Sequence, residues 1–278
     1  MSKILPGRAA RLGALALALA ACASSREVAE QTDQELCVTG TYVEGVDVSY
    51  AQPVPIAWGS VKTVAGAFAF AKAAEGTAIA DTAFPSSWPA LRAAQITRGA
   101  YHFFKGSVDG VAQADYFLSV VAANGGFVAG DLPPAIDVEY AADARYSSLT
   151  GNVASDVARL RDTVQRIQAR TGRAPILYTN NNTWGRLGNP TGFESYPVWL
   201  ANWGATCTSL PPGLTNLKFW QYSSTGSVPG ISGAVDRDRF AGTAADLAAF
   251  AGAPTTGGTC DNNVPLNGTA CNPADVAA

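Results

Sequence analysis

Between Tyr42 and Thr179, short apolar runs alternate with longer stretches in which apolar residues recur every three or four positions. The short runs are rich in β-branched and aromatic residues and predict strands, whereas the longer stretches predict amphipathic helices. The predicted strands cover residues 42–50, 67–73, 99–104, 134–140 and 175–179. The predicted helices cover residues 56–64, 87–96, 111–123 and 153–171. Regular alternation of strand and helix favours a parallel sheet.

The helical patterns largely disappear after Thr179. Residues 197–202, 217–222 and 234–236 predict further strands that are joined by loops. About eight strands in a little over 200 residues suit an α/β fold, a small barrel whose last turns lack helices. A doubly wound open sheet is the alternative architecture. Beyond Gly252, a composition rich in Pro, Thr, Gly and Asn indicates a tail.

Two carboxylates, Asp137 and Glu139, stand at alternate positions where the fourth predicted strand ends. Residues i and i+2 of a strand share a face, so both side chains should project the same way, about 6.6 Å apart along the strand. The neighbouring Asp137 and partial desolvation should then raise the pKa of Glu139. A protonated acid beside an ionised one suits glycoside hydrolysis, with a bell-shaped pH dependence. A metal-binding or merely structural acidic pair is the alternative.

Three further acids accompany other predicted strands. Asp47 lies in the first strand, Glu75 ends the second, and Asp236 lies in the last. In parallel barrels, active sites gather where the strands end. Aromatic side chains, which stack on the apolar faces of sugar rings, accompany these acids. They are Tyr50, Tyr101, Phe103, Phe104, Tyr140, Tyr178, Trp199, Trp203, Trp220 and Tyr222, of which Phe103, Phe104 and Trp199 fit the barrel core equally well.

The first residues indicate an export signal. Lys3, Arg8 and Arg11 precede an apolar core at 12–21 that is too short to span a bilayer. Residues 19–22 resemble a lipobox, in which Cys22 would be acylated and become the mature N-terminus, although ordinary signal cleavage fits the same small residues. The predicted organisation is a signal peptide at 1–22, a tether at 23–40, a barrel domain at 41–252 and a tail at 253–278. We therefore expect an exported protein, either a lipoprotein or freely secreted.

Four cysteines remain besides Cys22, and an even number in an exported chain suggests disulfides. Cys260 and Cys271 bracket the tail and are the easiest pair to close. Cys37 with Cys207 would join the start of the domain to a late loop. The spacing contains no C-x-x-C, which disfavours a zinc site.

The composition excludes several classes of function. The first 22 residues hold three of the 19 basic residues and none of the 22 acidic ones, which leaves a net charge of about −6 without basic runs, so nucleic acid is not an expected partner. The single histidine, His102, excludes a two-histidine metal site, and neither a G-x-S-x-G nor a G-x-x-x-x-G-K motif is present. Carboxylates are therefore expected to carry any chemistry, without metal or cofactor.

Seven motifs occur in one order between Gly45 and Phe240 and together resemble the glycoside hydrolase family 25 lysozymes, which are N-acetylmuramidases that cut bacterial peptidoglycan. The motif KAAEG carries Ala74 where the family usually has Thr. The motifs are GVDVS at 45–49, KAAEG at 72–76, GAYHF at 99–103, DVE at 137–139, YT at 178–179, WLA at 199–201, and WQYS at 220–223 followed by GI at 230–231 and VD at 235–236.

The resemblance implies an irregular TIM-like barrel of the (β/α)5(β)3 type, with Glu139 as the general acid. It also implies that Asp47, Asp137 and Asp236 surround the site and stabilise positive charge at the anomeric carbon. Structural hydrogen bonding is the alternative for Asp47 and Asp236, and His102 has no base role in this scheme. The expected substrate-binding residues are Glu75, Tyr101, Phe103, Tyr140, Tyr178, Trp199, Trp203, Gln221 and Tyr222, and a structural ion pair of Glu75 with Lys72 is an alternative.

The expected function is that of a monomeric muramidase, which hydrolyses the β-1,4 bond between N-acetylmuramic acid and N-acetylglucosamine in peptidoglycan. The rival from another class is a wall-binding module without catalysis, and a second rival is a hydrolase of another polysaccharide such as chitin. The motifs do not decide between inversion and retention aided by the acetamido group of the substrate.

Overall fold

Eight strands close into a barrel in the computed structural model, which describes residues 36–37 and 39–252. The first seven barrel strands run parallel to one another, while β8 is antiparallel to both β7 and β1 and closes the barrel. The predicted closed α/β barrel is confirmed, and the open-sheet alternative is wrong. In chain order the barrel strands are β1 (Tyr42–Val48), β2 (Phe68–Glu75), β3 (Thr97–Phe103), β4 (Ala135–Asp137), β5 (Ile176–Thr179), β6 (Val198–Ala201), β7 (Leu217–Gly226) and β8 (Val235–Ala241).

A helix follows each of the first five barrel strands. The amphipathic stripe predicted at 153–171 matches α4, and Gly172 ends that helix in the left-handed conformation with φ of 67°. None of the helices in the described ranges is both long and apolar enough to cross a membrane. The helices are α1 (Trp58–Ala65), α2 (Phe84–Ala93), α3 (Gly110–Ala123), α4 (Val153–Thr171), α5 (Asn181–Arg186) and α6 (Ala244–Ala251), the last of which follows β8.

Two helices and the length of the last strand differ from the prediction. Helix α5 is short and contains Asn and Gly, which are poor helix formers, and it begins because the Asn180 side chain accepts a hydrogen bond from the Thr183 N–H at 2.8 Å. Helix α6 begins with a capping box formed by Thr243 and Asp246. Strand β8 extends well beyond residue 236. The prediction ended there because acidic and basic residues alternate along this strand and hide its apolar pattern.

Aromatic rings fill the barrel interior beneath the ends of the parallel strands. Phe70 stacks on Trp199 with ring centroids 4.3 Å apart. Two glycines, one on each of the strands that flank β2, make room for the rings of Phe68 and Phe70. A Cβ atom at Gly45 would lie 2.5 Å from the ring of Phe68, and one at Gly99 would lie 2.4 Å from the ring of Phe70. The close-packed rings give the cavity above them a rigid, dry floor.

A disulfide ties the start of the described chain to a late loop. The two-residue strand Leu36–Cys37 pairs with Cys207–Thr208, and the Cys37 and Cys207 sulfurs are bonded, as predicted. Leu36 and Cys37 both fall within the range 23–40 that the prediction assigned to the tether, so contacts with the barrel domain begin before residue 41. The other cysteines of the prediction lie outside the described residues: Cys22, Cys260 and Cys271.

Candidate active site

A cavity of about 280 Å³ opens at the end of the barrel where the parallel strands finish. None of the residues that line it is Lys, Arg or His, so its charge is entirely acidic. All four predicted catalytic residues line this cavity, together with five of the nine predicted substrate-binding residues. The lining consists of Asp47, Tyr101, Asp137, Glu139, Tyr178, Trp199, Trp203, Gln221, Ser224 and Asp236.

The register between strands brings these residues together. Asp236 on β8 stands directly opposite Asp47 on β1, so their side chains share the interior face. On the other side of the barrel, Asp137 on β4 pairs with Tyr178 on β5, which in turn pairs with Trp199 on β6. Neighbouring strands thus place one functional side chain each at the same level.

The Asp137 and Glu139 carboxyl groups both face the cavity, as predicted, although β4 ends at Asp137. Glu139 is held in place after the strand by two hydrogen bonds to a following loop. Its N–H donates to Ser148 Oγ at 3.0 Å, and the Ser148 N–H donates to the Glu139 carbonyl at 2.7 Å. The two carboxyl groups lie close enough for each to shift the pKa of the other.

Gln221 connects three sides of the cavity through its side-chain amide. Its Nε2 donates to Asp47 Oδ2 at 2.7 Å. Its Oε1 accepts from the Tyr178 hydroxyl at 2.9 Å and from Trp203 Nε1 at 2.8 Å. The amide oxygen thus accepts two hydrogen bonds and the amide nitrogen donates one. These bonds fix the orientation of the Asp47 carboxyl group and of the Trp203 ring.

A fifth carboxyl group, Asp238, was not predicted. It is fully buried behind the cavity, and its Oδ1 accepts from Trp199 Nε1 at 2.8 Å. Strand β8 alternates acidic and basic residues, and this alternation is the signal that places Asp238 on the same face as Asp236. The pKa of Asp47 is raised most by burial, next by the charge of Asp236 and then by the charge of Asp238.

Burial is the largest cause that raises the pKa of each of these five carboxyl groups. The pKa of Asp236 rises to about 6, through burial and the charge of Glu139. The pKa values of Asp47 and Asp238 are raised well above the ordinary range by burial and by neighbouring aspartates. The pKa of Asp137 is likewise raised well above its usual range, by burial and then by the charge of Glu139. Burial and the mutual repulsion of the carboxylates thus both favour the protonated forms in this cluster.

The pKa of Glu139 is raised, as predicted, but the predicted contribution of Asp137 is wrong. Burial raises this pKa, whereas the hydrogen bond from Asp137 lowers it, and the charge of Lys72 and the Tyr178 hydroxyl, which also faces Glu139, lower it further. The two acids titrate as a coupled pair, so the proton that they share belongs to both.

Four predicted substrate-binding residues lie outside the cavity lining, and two of them belong to a charged cluster beside it. Glu75 pairs with Lys72 at 2.8 Å and with Lys105 at 3.1 Å. Burial alone would raise the pKa of Glu75, but the two lysines lower it overall. The same two ammonium groups lie 4.7 and 4.8 Å from the centre of the Phe103 ring. The structural ion pair, given above as the alternative for Glu75, is present.

The other two residues outside the lining are Tyr140 and Tyr222. The Arg186 guanidinium lies 3.6 Å from the centre of the Tyr140 ring. The Tyr222 hydroxyl donates to Glu44 Oε2 at 2.6 Å, on the outer face of the barrel. Both tyrosines are thus engaged in contacts with charged side chains outside the cavity.

His102 lies away from the cavity, on the outer face of β3. It is completely buried, packs against Phe117 of α3, and its Nε2 lies 3.2 Å from Gln113 Oε1. Burial lowers its pKa to about 4. The histidine is therefore a neutral wall residue near neutral pH.

Comparison with known proteins agrees with this geometry. The family model of glycosyl hydrolases family 25 matches residues 46–231. Lysozyme M1 of Streptomyces globisporus is 39% identical over 217 residues, which cover 75% of this chain and 71% of that protein. The N,O-diacetylmuramidase of Chalaropsis sp is 34% identical over 209 residues, which cover 70% of this chain and 96% of that protein.

A solved structure extends the comparison to the fold. The bacterial lysozyme from Streptomyces coelicolor superposes with a TM-score of 0.68 at 38% sequence identity. The match covers 76% of this chain and 97% of the other.

Proposed function

Since the chain belongs to glycosyl hydrolases family 25 and is a glycoside hydrolase, we propose that it is a muramidase, with bacterial peptidoglycan as its substrate. The reaction is hydrolysis of the β-1,4 bond between N-acetylmuramic acid and N-acetylglucosamine. Its relatives include a lysozyme and an N,O-diacetylmuramidase, and the cavity holds the carboxyl groups that such a reaction needs.

The observation that carries this proposal is the pair of carboxyl groups, Asp137 and Glu139, that face one cavity whose lining contains no cation. In the proposed reaction, Glu139 donates a proton to the oxygen of the leaving sugar. Burial supports this role because it raises the pKa of Glu139 and so keeps a proton available. As Glu139 loses its proton, Asp137 stabilises the resulting carboxylate by donating a hydrogen bond to it.

The remaining carboxyl groups act on the charge that develops in the sugar. An oxocarbenium-like transition state carries positive charge at the anomeric carbon. Asp236, with a pKa of about 6, is ionised more easily near neutral pH than Asp47 or Asp137, because the pKa values of those two groups are raised well above the ordinary range. Gln221 orients the carboxyl group of Asp47 at the same level of the barrel as Asp236, and Asp47 assists Asp236 in stabilising this charge. The buried hydroxyl of Tyr101 stays protonated, because burial raises its pKa, and it serves as a donor to substrate oxygens, whereas the hydroxyl of Tyr178 donates to Gln221.

The substitution Glu139→Gln tests the assignment of the acid. We expect the purified variant to release reducing ends from peptidoglycan about 10²- to 10⁴-fold more slowly, the usual contribution of general acid catalysis. Glu194→Gln is the matched control because Glu194 is on the surface, far from the cavity lining. Its rate should equal that of the unchanged protein, and neither variant should have a lower thermal unfolding midpoint.

Full activity of the Glu139→Gln variant would contradict the role of Glu139. Binding to intact sacculi without clearing them, by the unchanged protein, would instead favour a wall-binding module. Equal release of products from chitin, measured by mass spectrometry, would favour a broader polysaccharide hydrolase.

The parts outside the barrel complete the proposal. We propose an export signal at 1–22 with a lipid anchor on Cys22, a tether that extends toward residue 40, and a tail at 253–278 closed by Cys260 and Cys271. We class the barrel as an irregular TIM-like (β/α)5(β)3 fold and infer that the enzyme acts as a monomer at the cell envelope. Metabolic labelling with palmitate, compared with a Cys22→Ser variant, tests the anchor.

A further inference from the structure

A second cavity of about 370 Å³ lies next to the catalytic cavity and is larger than it. Its size falls within the about 300–1,000 Å³ that is typical of sites for small ligands. We call it the asparagine groove. Its lining consists of Asn180, Asn181, Asn182, Ala201, Asn202 and Trp203.

Trp203 belongs to both cavities and forms the wall between them. Its side chain is 58% exposed, which is unusual for a large aromatic residue. The ring is nevertheless held, because its Nε1 donates to Gln221 Oε1 at 2.8 Å. The backbone is held on both sides, since the N–H groups of Asn202 and Gly204 donate to carbonyls of β7 at 3.0 and 3.1 Å. The exposed ring is therefore a preorganised stacking platform.

The asparagine side chains offer hydrogen-bonding groups to a ligand. The Oδ1 atoms of Asn180 and Asn182 accept structural bonds from the Thr183 N–H and from Arg186 Nε, so their amide N–H groups remain available as donors. Asn181 is exposed at the start of α5. Amide groups beside an aromatic ring suit a ligand with hydroxyl or acetamido groups on an apolar ring.

The charge of the lining selects between the two parts of peptidoglycan. All six lining residues are uncharged. The stem peptides of peptidoglycan carry carboxylates and amines, which would need opposite charges to compensate for desolvation. An N-acetylglucosamine ring carries no charged group, so the uncharged lining favours a sugar ring of this kind over a peptide.

We propose that the asparagine groove binds an N-acetylhexosamine ring of the same glycan strand, next to the rings in the catalytic cavity. The proposal rests on the proposed function and adds a subsite to it. The strand crosses the edge of Trp203, whose ring contacts sugars on both sides. The groove thereby favours long glycan strands over short fragments.

Binding to peptide-free oligosaccharides of alternating N-acetylglucosamine and N-acetylmuramic acid tests this subsite. The full chain with Glu139→Gln is used, so that the ligand is not consumed during the measurement. Tryptophan fluorescence reports on the site because the other five tryptophans are at most 4% exposed: Trp58, Trp88, Trp184, Trp199 and Trp220. Titration calorimetry with the disaccharide, tetrasaccharide and hexasaccharide supplies the affinities.

The double variant Asn181→Ala, Asn182→Ala removes donors of the groove without touching the catalytic cavity. Asn180 is left in place because it caps α5. We expect the tetrasaccharide to bind at least about tenfold more tightly than the disaccharide, and the double variant to lose about tenfold for the tetrasaccharide alone, as expected for one or two lost hydrogen bonds. Asn124→Ala is the matched control, since Asn124 ends α3 and lines neither cavity.

Two results would overturn the subsite: equal affinity for the disaccharide and the longer oligosaccharides, or a length dependence that survives in the double variant. Tighter binding of a free stem peptide that competes with the tetrasaccharide would also overturn it and assign the groove to peptide. The rate of peptidoglycan hydrolysis by the chain with Glu139 intact is measured in parallel. If hydrolysis is absent while the length dependence is present and lost in the double variant, the subsite stands and the muramidase function fails.

Discussion

The two ends of the barrel hold buried charge in opposite ways. At the end where the strands begin, Arg98 is 3% exposed, and its Nε and Nη2 donate to the two oxygens of Asp131 at 2.9 and 3.1 Å. The guanidinium also lies 3.7 Å from the centre of the Trp88 ring. Nearby, Arg173 donates to the Asp131 carbonyl and to carbonyls at the end of α6. These bonds compensate for the desolvation of each charge.

At the opposite end, the carboxyl groups of the active site lack such compensation. Asp47, Asp137 and Asp238 are at most 5% exposed, and no basic residue lines the cavity. Lys72 lowers the pKa of Asp137 and Glu139, but its ammonium group is also paired with Glu75.

The difference separates an acid that stabilises the fold from acids that serve chemistry. Asp131 is paired through both of its carboxylate oxygens with the buried guanidinium of Arg98. The clustered acids of the cavity can be kept together only because some of them retain protons, and this costs stability when the pH rises. Three predictions test the comparison.

The largest effect on stability is expected at the paired end. Asp131→Asn leaves the Arg98 charge buried without its partner, which should lower the free energy of unfolding by about 3 to 5 kcal/mol. Denaturant unfolding measures this change, and the rate of hydrolysis per folded molecule should stay the same. Asp143→Asn is the matched control, because its ion pair with Arg145 is exposed to solvent and should contribute little to stability. Equal losses in the two variants would contradict the distinction.

A smaller effect of opposite sign is expected at the cavity. The pKa of Asp236 is about 6 in the folded chain and near 3.8 when unfolded, so the folded state binds the proton more strongly. The stability from this group is therefore full below pH 3.8 and falls as the pH rises through about 6. Asp236→Asn should raise the free energy of unfolding by about 1 to 2 kcal/mol at pH 7.5, after allowance for partial exposure, and change it little at pH 4.

The same variant should lose hydrolytic activity, because the proposed mechanism uses the ionised form of Asp236. Asp162→Asn on the exposed side of α4 is the control, and it should leave both the stability profile and the rate unchanged. A stability gain that is the same at pH 4 and pH 7.5 would show that the charge of Asp236 is not its cause.

The smallest effect is expected at His102, which tests whether the carboxyl groups alone set the pH dependence. With a pKa of about 4, this histidine is already neutral across the range where the hydrolysis rate should fall. His102→Gln should therefore leave the basic limb of the rate profile within one pH unit of its position in the unchanged protein. The measurement is the initial rate of reducing-end release between pH 3 and pH 9. A larger shift, with an unchanged thermal midpoint, would assign that limb to histidine.

Much of this molecule follows from patterns within short segments. Residues 153–171 form a helix because their apolar side chains recur with the helical period and Gly172 can adopt the positive φ that ends it. Asp137 and Glu139 face one cavity because the chain around them is extended and alternate residues share a side. Both properties depend on backbone geometry over a few residues, so the sequence by itself determines them.

Other features depend on which distant segments meet. Asp236 faces Asp47 only because β8 closes the barrel against β1 in one register, and Tyr140 lies against Arg186 of α5 instead of in the cavity. The pKa of Glu139 likewise depends on burial and on the protonated neighbour that packing provides. Local patterns define which face a residue occupies, whereas distances, desolvation and charge partners arise only when the barrel closes, and for this reason the tertiary structure alone decided them.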